Sequence, residues 1–107
     1  MIAKLKSAAV VDLRRGDNEI FALSDDAVGA KITEIIVSNK SSAQVKATIK
    51  VYKKAILDTA VIIPSINFLA NEGKVIPMST ILEPGDKIIA ETNAASSIDV
   101  LVSLIEL

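Results

Sequence analysis

At 107 residues, half of them hydrophobic and 23% charged, with mean hydropathy +0.46, the chain has enough apolar material for one folded domain and too little charge for disorder. Twelve Lys and Arg balance thirteen Asp and Glu without clustering, which excludes the basic footprint of a nucleic-acid binder. With neither Cys nor His, thiol nucleophiles, disulfides, imidazole bases and the usual zinc, copper or haem ligands are gone, so no catalytic residue, metal or cofactor is expected.

The N-terminal segment fits two periods. Leu5, Ala9, Val11 and Leu13 suit a strand, while Ile2, Leu5, Ala9 and Leu13 fall at helical spacing; the strand is favoured, and residues 1–15 read as a strand or a separate N-terminal arm. A brief apolar segment at residues 20–23 then ends in a polar turn. Residues 32–37 form a β-branched run closed by the turn cluster Asn39-Lys40-Ser41-Ser42. In the stretch that follows, Val45, Ala47, Ile49 and Val51 alternate with Lys46, Thr48, Lys50 and Tyr52, the period of a half-buried strand. The two runs read as a hairpin or a short cross-sheet connection.

The segment "DTAVIIPS" predicts a short strand ending at Pro64, which cannot donate to a central ladder. Turn residues Asn71 and Gly73 separate the next two strand-like pieces, and Pro77 marks an edge or a bend. In "ILEPGDKII" the order Pro84-Gly85 is what a type II turn asks for, and the stretch reads as a hairpin marker, with Glu83 and Asp86 keeping the connection wet. The final run is apolar on both faces. Ile98, Val100, Val102 and Leu104 mark one, while Leu101, Ile105 and Leu107 mark the other, so these last three are the candidate oligomer interface. About eight short segments with turns between them predict an all-β fold: a single antiparallel β-sandwich over residues 1–107, jelly-roll-like or Ig-like.

Uninterrupted apolar runs such as residues 60–63 fall far short of the roughly 20 residues of a membrane span. The N-terminus lacks the apolar stretch of a signal peptide, so cytoplasmic synthesis and no membrane partner are expected. The only aromatics, Phe21, Tyr52 and Phe68, are too few for a sugar-stacking surface. Arg15-Gly16-Asp17 spells the integrin-recognition tripeptide but reads as a polar turn. Asp25 and Asp26 lack the alternating spacing of a calcium loop. Lys53 and Lys54 read as protection for a sheet edge, and Ser41, Ser42, Ser96 and Ser97 as turn residues without an activating base.

The segments "NEIFAL", "AKITEIIVSNKSSAQVKATIKVY", "AVIIPSINFLANEGKVIPMSTILEPGDKIIAETN" and "SSIDVLVSLIEL" resemble small virion proteins of tailed bacteriophages. The likeness is carried by Ile32, Ile35, Val37 and Asn39, then by Leu82, Gly85, Asp86 and Ile88, and by the closing strand of residues 98–102; it covers about residues 18–106. One loop departs from the pattern: "LSDDAVGAK" stands where many such proteins have V-P-A-G-K. The resemblance implies a virion-located, non-enzymatic β-sandwich of the capsid-decoration, head-fibre or tail-associated type. It implies a homo-oligomer, a trimer being favoured, whose partner is the major capsid protein or a tail component. The alternative is a tail- or fibre-associated receptor-binding module that uses the loops at residues 24–29 and 93–97.

Overall fold

Alternation of apolar and polar residues dominates the chain, and a strand with period two can hide only one face behind a second sheet. The computed structural model, which describes residues 3–107, resolves this into eight strands: β1 Lys4–Val10, β2 Gly16–Ala22, β3 Ala30–Asn39, β4 Val45–Lys53, β5 Asp58–Phe68, β6 Gly73–Leu82, β7 Lys87–Thr92 and β8 Ile98–Glu106. They pair antiparallel in two four-stranded sheets: sheet A, in the order β1-β8-β3-β6, and sheet B, in the order β2-β7-β4-β5. Only the β4–β5 connection stays within a sheet; every other one crosses to the opposite layer. That order is a jelly roll, and of the two sandwich types expected it rules out the Ig-like one.

The N-terminal ambiguity resolves to a strand. β1 pairs with β8 along its whole length, so this part of the chain belongs to sheet A; Ile2, one of the positions at helical spacing, lies outside the described residues. The inner residues of both sheets interlock in one core. Ile32, Ile35, Val37, Ile98, Val102 and Leu104 of sheet A meet Ile49, Ile88, Ala90 and Phe68 of sheet B, all of them fully or almost fully buried.

Two expectations are corrected. Pro64 does not end a strand: β5 runs on to Phe68, because β5 is an edge and its register against β4 breaks around Pro64 and Ser65. Ser65, at φ +40, turns its N–H to the Thr48 hydroxyl instead of the ladder. The Pro84-Gly85 turn closes no hairpin either, since β6 and β7 belong to different sheets. The connection between β3 and β4 is likewise cross-sheet.

Asn39, at the last position of β3, organises that crossover. Its buried amide donates to the carbonyls of Ala43 (2.8 Å) and Leu69 (3.0 Å), while its oxygen accepts from the Ser41 N–H and hydroxyl (3.0 and 2.7 Å). Asn39→Ala would remove these bonds, leaving the Ser41 hydroxyl and the Ala43 backbone only their contacts with each other (3.1 Å at the carbonyl), and is expected to lower stability by about 2–3 kcal/mol, a buried unsatisfied polar group costing about 1–3 kcal/mol. Ser42→Ala, on the exposed tip of the same turn, is expected to change it by about 0.5 kcal/mol or less. Denaturant midpoints of the two variants check the contrast.

Candidate functional site

The outer faces of the two sheets differ in balance: ion pairs span sheet B, around Ile89 and Val61 in the Lys50 row, whereas two mainly apolar rows cross sheet A. On sheet B, Lys50 bridges Asp17 (3.0 Å) and Glu91 (3.1 Å), and Lys87 reaches Glu19 (3.4 Å) with its ammonium 5.7 Å from the centre of the Tyr52 ring. This is a solvated ionic lattice. On sheet A, register aligns apolar side chains across all four strands: Ala9, Leu101, Ile36 and Val75 form one row. Leu5, Ile105, Lys31 and Ile81 form another.

These rows remain open to solvent. Leu5 is 87% exposed, Val75 59%, Ile81 58% and Leu101 37%. Four strands of seven to ten residues, about 4.8 Å apart, give this face a footprint of roughly 600 Å², on which the two mainly apolar rows flank a more polar one of Ser7, Ser103, Glu34 and Pro77; the aligned rows hold more apolar surface than single scattered side chains explain. At one end of the face, Val28, Ile81, Ile105 and Leu107 line a groove of about 430 Å³.

The candidate interface residues Leu101, Ile105 and Leu107 therefore lie on one surface, the outer side of sheet A and its rim. Within the chain itself β8 is buried on one face only, not on both. Leu5, Ile36, Val75 and Ile81 complete the surface. They escaped sequence reading because each comes from a different part of the chain, and only the strand order brings them into line. A local sign existed in the run of residues 32–37, where Ile36 makes β3 apolar on its polar side.

The Glu83-Pro84-Gly85-Asp86 turn closes by the Asp86 N–H donating to the Glu83 carbonyl (3.0 Å), with Gly85 at φ +88. Its two acids have different fates. Glu83 is 64% exposed, whereas the Asp86 carboxylate is 1% exposed, which overturns the expectation that both keep the turn wet. Asp86 accepts from the Glu83 N–H (2.8 Å), the Lys54 N–H (3.0 Å) and the Lys53 ammonium. Lys53 is thus the partner of a buried acid and not a guard on a sheet edge; Lys54 pairs with Asp25 at 2.6 Å. Nothing in this cluster is arranged as paired acids over a cleft, and it acts as a staple between layers.

Burial pushes the Asp86 carboxyl up, but the bonds from Lys53, Glu83 and Lys54 outweigh it and hold the group below the ordinary carboxylate range. The hydrogen bond to Asp86 holds the Lys53 ammonium above its usual range against burial. The remaining sequence candidates are engaged locally. Arg15 Nε donates to the Asn93 carbonyl (3.2 Å), so with Asp17 on Lys50 the tripeptide is tied into the sheet. The Ser97 hydroxyl bonds the Ala95 carbonyl (3.2 Å). The loops at 24–29 and 93–97 sit at opposite ends of β8, the first beside Leu107 and the second beside Leu13, and form no common surface.

No family model and no curated protein matches the chain. Solved structures do share its fold. The acid-stable capsid of Helicobacter pylori bacteriophage KHP30 superposes with a TM-score of 0.65 at 12% identity over 100% of this chain and 89% of that one. The T13 viral particle of infectious bursal disease virus gives 0.64 at 10% identity over 97% of this chain, which spans only 30% of the viral chain's length. A subunit of the Bacillus endospore appendages, disulfide-linked pili, gives 0.59 at 12% identity over 97% and 86%. At such identities the likeness establishes the fold alone.

Because the Asp86 carboxyl is depressed relative to the unfolded chain, the stability it contributes is complete above the ordinary carboxylate pKa and is lost as pH falls through the lower folded value. Asp86→Asn is expected to cost about 2–4 kcal/mol at neutral pH and to flatten the acid limb of a stability-versus-pH curve. Glu83→Gln should leave both nearly unchanged. Gly85→Val is expected to destabilise strongly, since a Cβ there would lie 2.3 Å from Lys54 Cδ at a φ that suits glycine. Thermal melts from pH 2 to 7 compare the three.

Proposed function

We propose that this chain is a non-enzymatic bacteriophage virion protein, most specifically a capsid decoration protein that adds to the head surface as a homo-oligomer. The observation that carries the reading is the pair of mainly apolar rows left open to solvent on the outer side of sheet A. An apolar sheet face of this extent is a surface to be covered by protein. The jelly-roll likeness to a phage capsid and to a viral particle supports the same setting, and the lack of Cys and His is in keeping with it.

Function in this reading is adhesion. A contact of ordinary specific size covers roughly 800 Å² per partner, and an oligomer repeats it with avidity across neighbouring capsid subunits. Leu101, Ile105 and Leu107 are the side chains placed to make it. A carboxylate set among them would have to be desolvated on assembly, at a cost of about 2 kcal/mol or more. The receptor-binding alternative rests on two loops at opposite poles, so it would need one of them alone.

Expanded capsids purified without this protein, mixed with it and imaged, are expected to gain regular surface density. Leu101→Asp and Ile105→Asp should bind at least tenfold more weakly while melting like the wild type. Failure to bind capsids together with binding to host cells would overturn the decoration reading in favour of a receptor-binding module.

A further inference from the structure

The four edges of the sandwich are not equivalent. β5 carries Pro64 and a broken register, β6 carries Pro77 and a register shift against β3, and β2 shifts register between Glu19 and Phe21. Prolines and bulges are the usual means of blunting an edge against pairing. β1 has neither, its guards being Lys4 and Lys6, the second drawn back onto Glu106 of β8 at 2.9 Å; it runs in unbroken register with β8 from Lys4 to Val10, and no strand among the described residues lies on its other side.

We propose that β1 pairs antiparallel with β1 of a second copy, centred on Ser7, fusing two sheets A into one eight-stranded sheet. This rests on the reading that the chain assembles with itself. In that register Lys4 faces Val10, Leu5 faces Ala9, Lys6 faces Ala8 and Ser7 faces its own copy, so no lysine meets another. Centring on Leu5 would set Lys4 against Lys6, and centring on Lys6 would set Lys6 against itself, both repulsive across a ladder. Centring on Ala8 would leave Lys4 and Leu5 without partners inside the strand. Only the Ser7 centre uses all of β1 and separates the charges.

The same register sets outward residues opposite outward residues, so the Leu5 row of one copy runs into the Ala9 row of the other. Each mainly apolar row then continues across eight strands, about 38 Å at ~4.8 Å per strand, with the Ser7 row between them. A two-fold edge contact is isologous and closes at two copies, so the favoured trimer would require a different surface.

The lack of native cysteine makes the register directly testable. Ser7→Cys places one thiol beside its own copy, with Cα atoms about 4.5–5.5 Å apart across the pair, inside the range that a disulfide spans. A thiol at Leu5 would lie roughly 13 Å from its copy, four residues along. Under mild oxidation the isolated Ser7→Cys protein is expected to convert to a covalent dimer, Leu5→Cys to stay unlinked, and a mixture of Leu5→Cys with Ala9→Cys to link. Ser7→Cys remaining unlinked where sedimentation shows the wild type to be an oligomer would overturn the edge contact, as would a wild type that sediments as a monomer or a trimer. Capsid imaging judges the decoration reading separately from either result.

Discussion

A two-layer sandwich gives each strand one dry face and one face whose environment the fold does not dictate. Everything distinctive about this protein follows from how it spends that second face. Sheet B sets ion pairs there, with Lys50 and Lys87 held to acids on neighbouring strands around Ile89 and Val61. Sheet A sets Leu5, Ile36, Val75, Ile81, Leu101 and Ile105 there on either side of a more polar row, apolar side chains that lie outside the folded domain's own core.

The crossovers between layers are where polar groups enter the interior. Asn39 at the β3–β4 crossing and Asp86 at the β6–β7 crossing are both buried, and each uses its side chain to satisfy backbone groups that leave a ladder there. At the β1–β2 crossing buried Asn18 does the same, accepting from the Arg14 N–H and donating to the Arg14 and Gly16 carbonyls, while buried Leu13 exchanges backbone bonds with Ile98 and Ser96. Specific polar pinning thus complements a core whose aliphatic contacts are individually interchangeable.

Much of this was legible in the chain, and the physical reason is local periodicity. The alternation from Val45 to Tyr52 and the Asn39 turn cluster announce strands and bends without any tertiary information. Sheet membership is different, because it depends on pairings between distant residues. Pro84-Gly85 therefore marked a turn correctly but not the layers that the turn joins. Asp86 looked solvated because its partner, Lys53, is far away in sequence. Pro64 looked like a terminus because a bulge on an edge strand tolerates what a central strand does not. For the surface, Leu101, Ile105 and Leu107 could be read from the run of residues 98–107 alone, whereas the others needed the strand order.

That order carries a kinetic consequence. β8, at residues 98–106, sits between β1 and β3, so the centre of sheet A is vacant until those residues have been synthesised. Until then β1 has no neighbour and β3 pairs only with β6. Closing such distant pairings is slow, and the apolar rows come into alignment only when β8 inserts. Alignment of the outer rows and completion of sheet A are therefore one event.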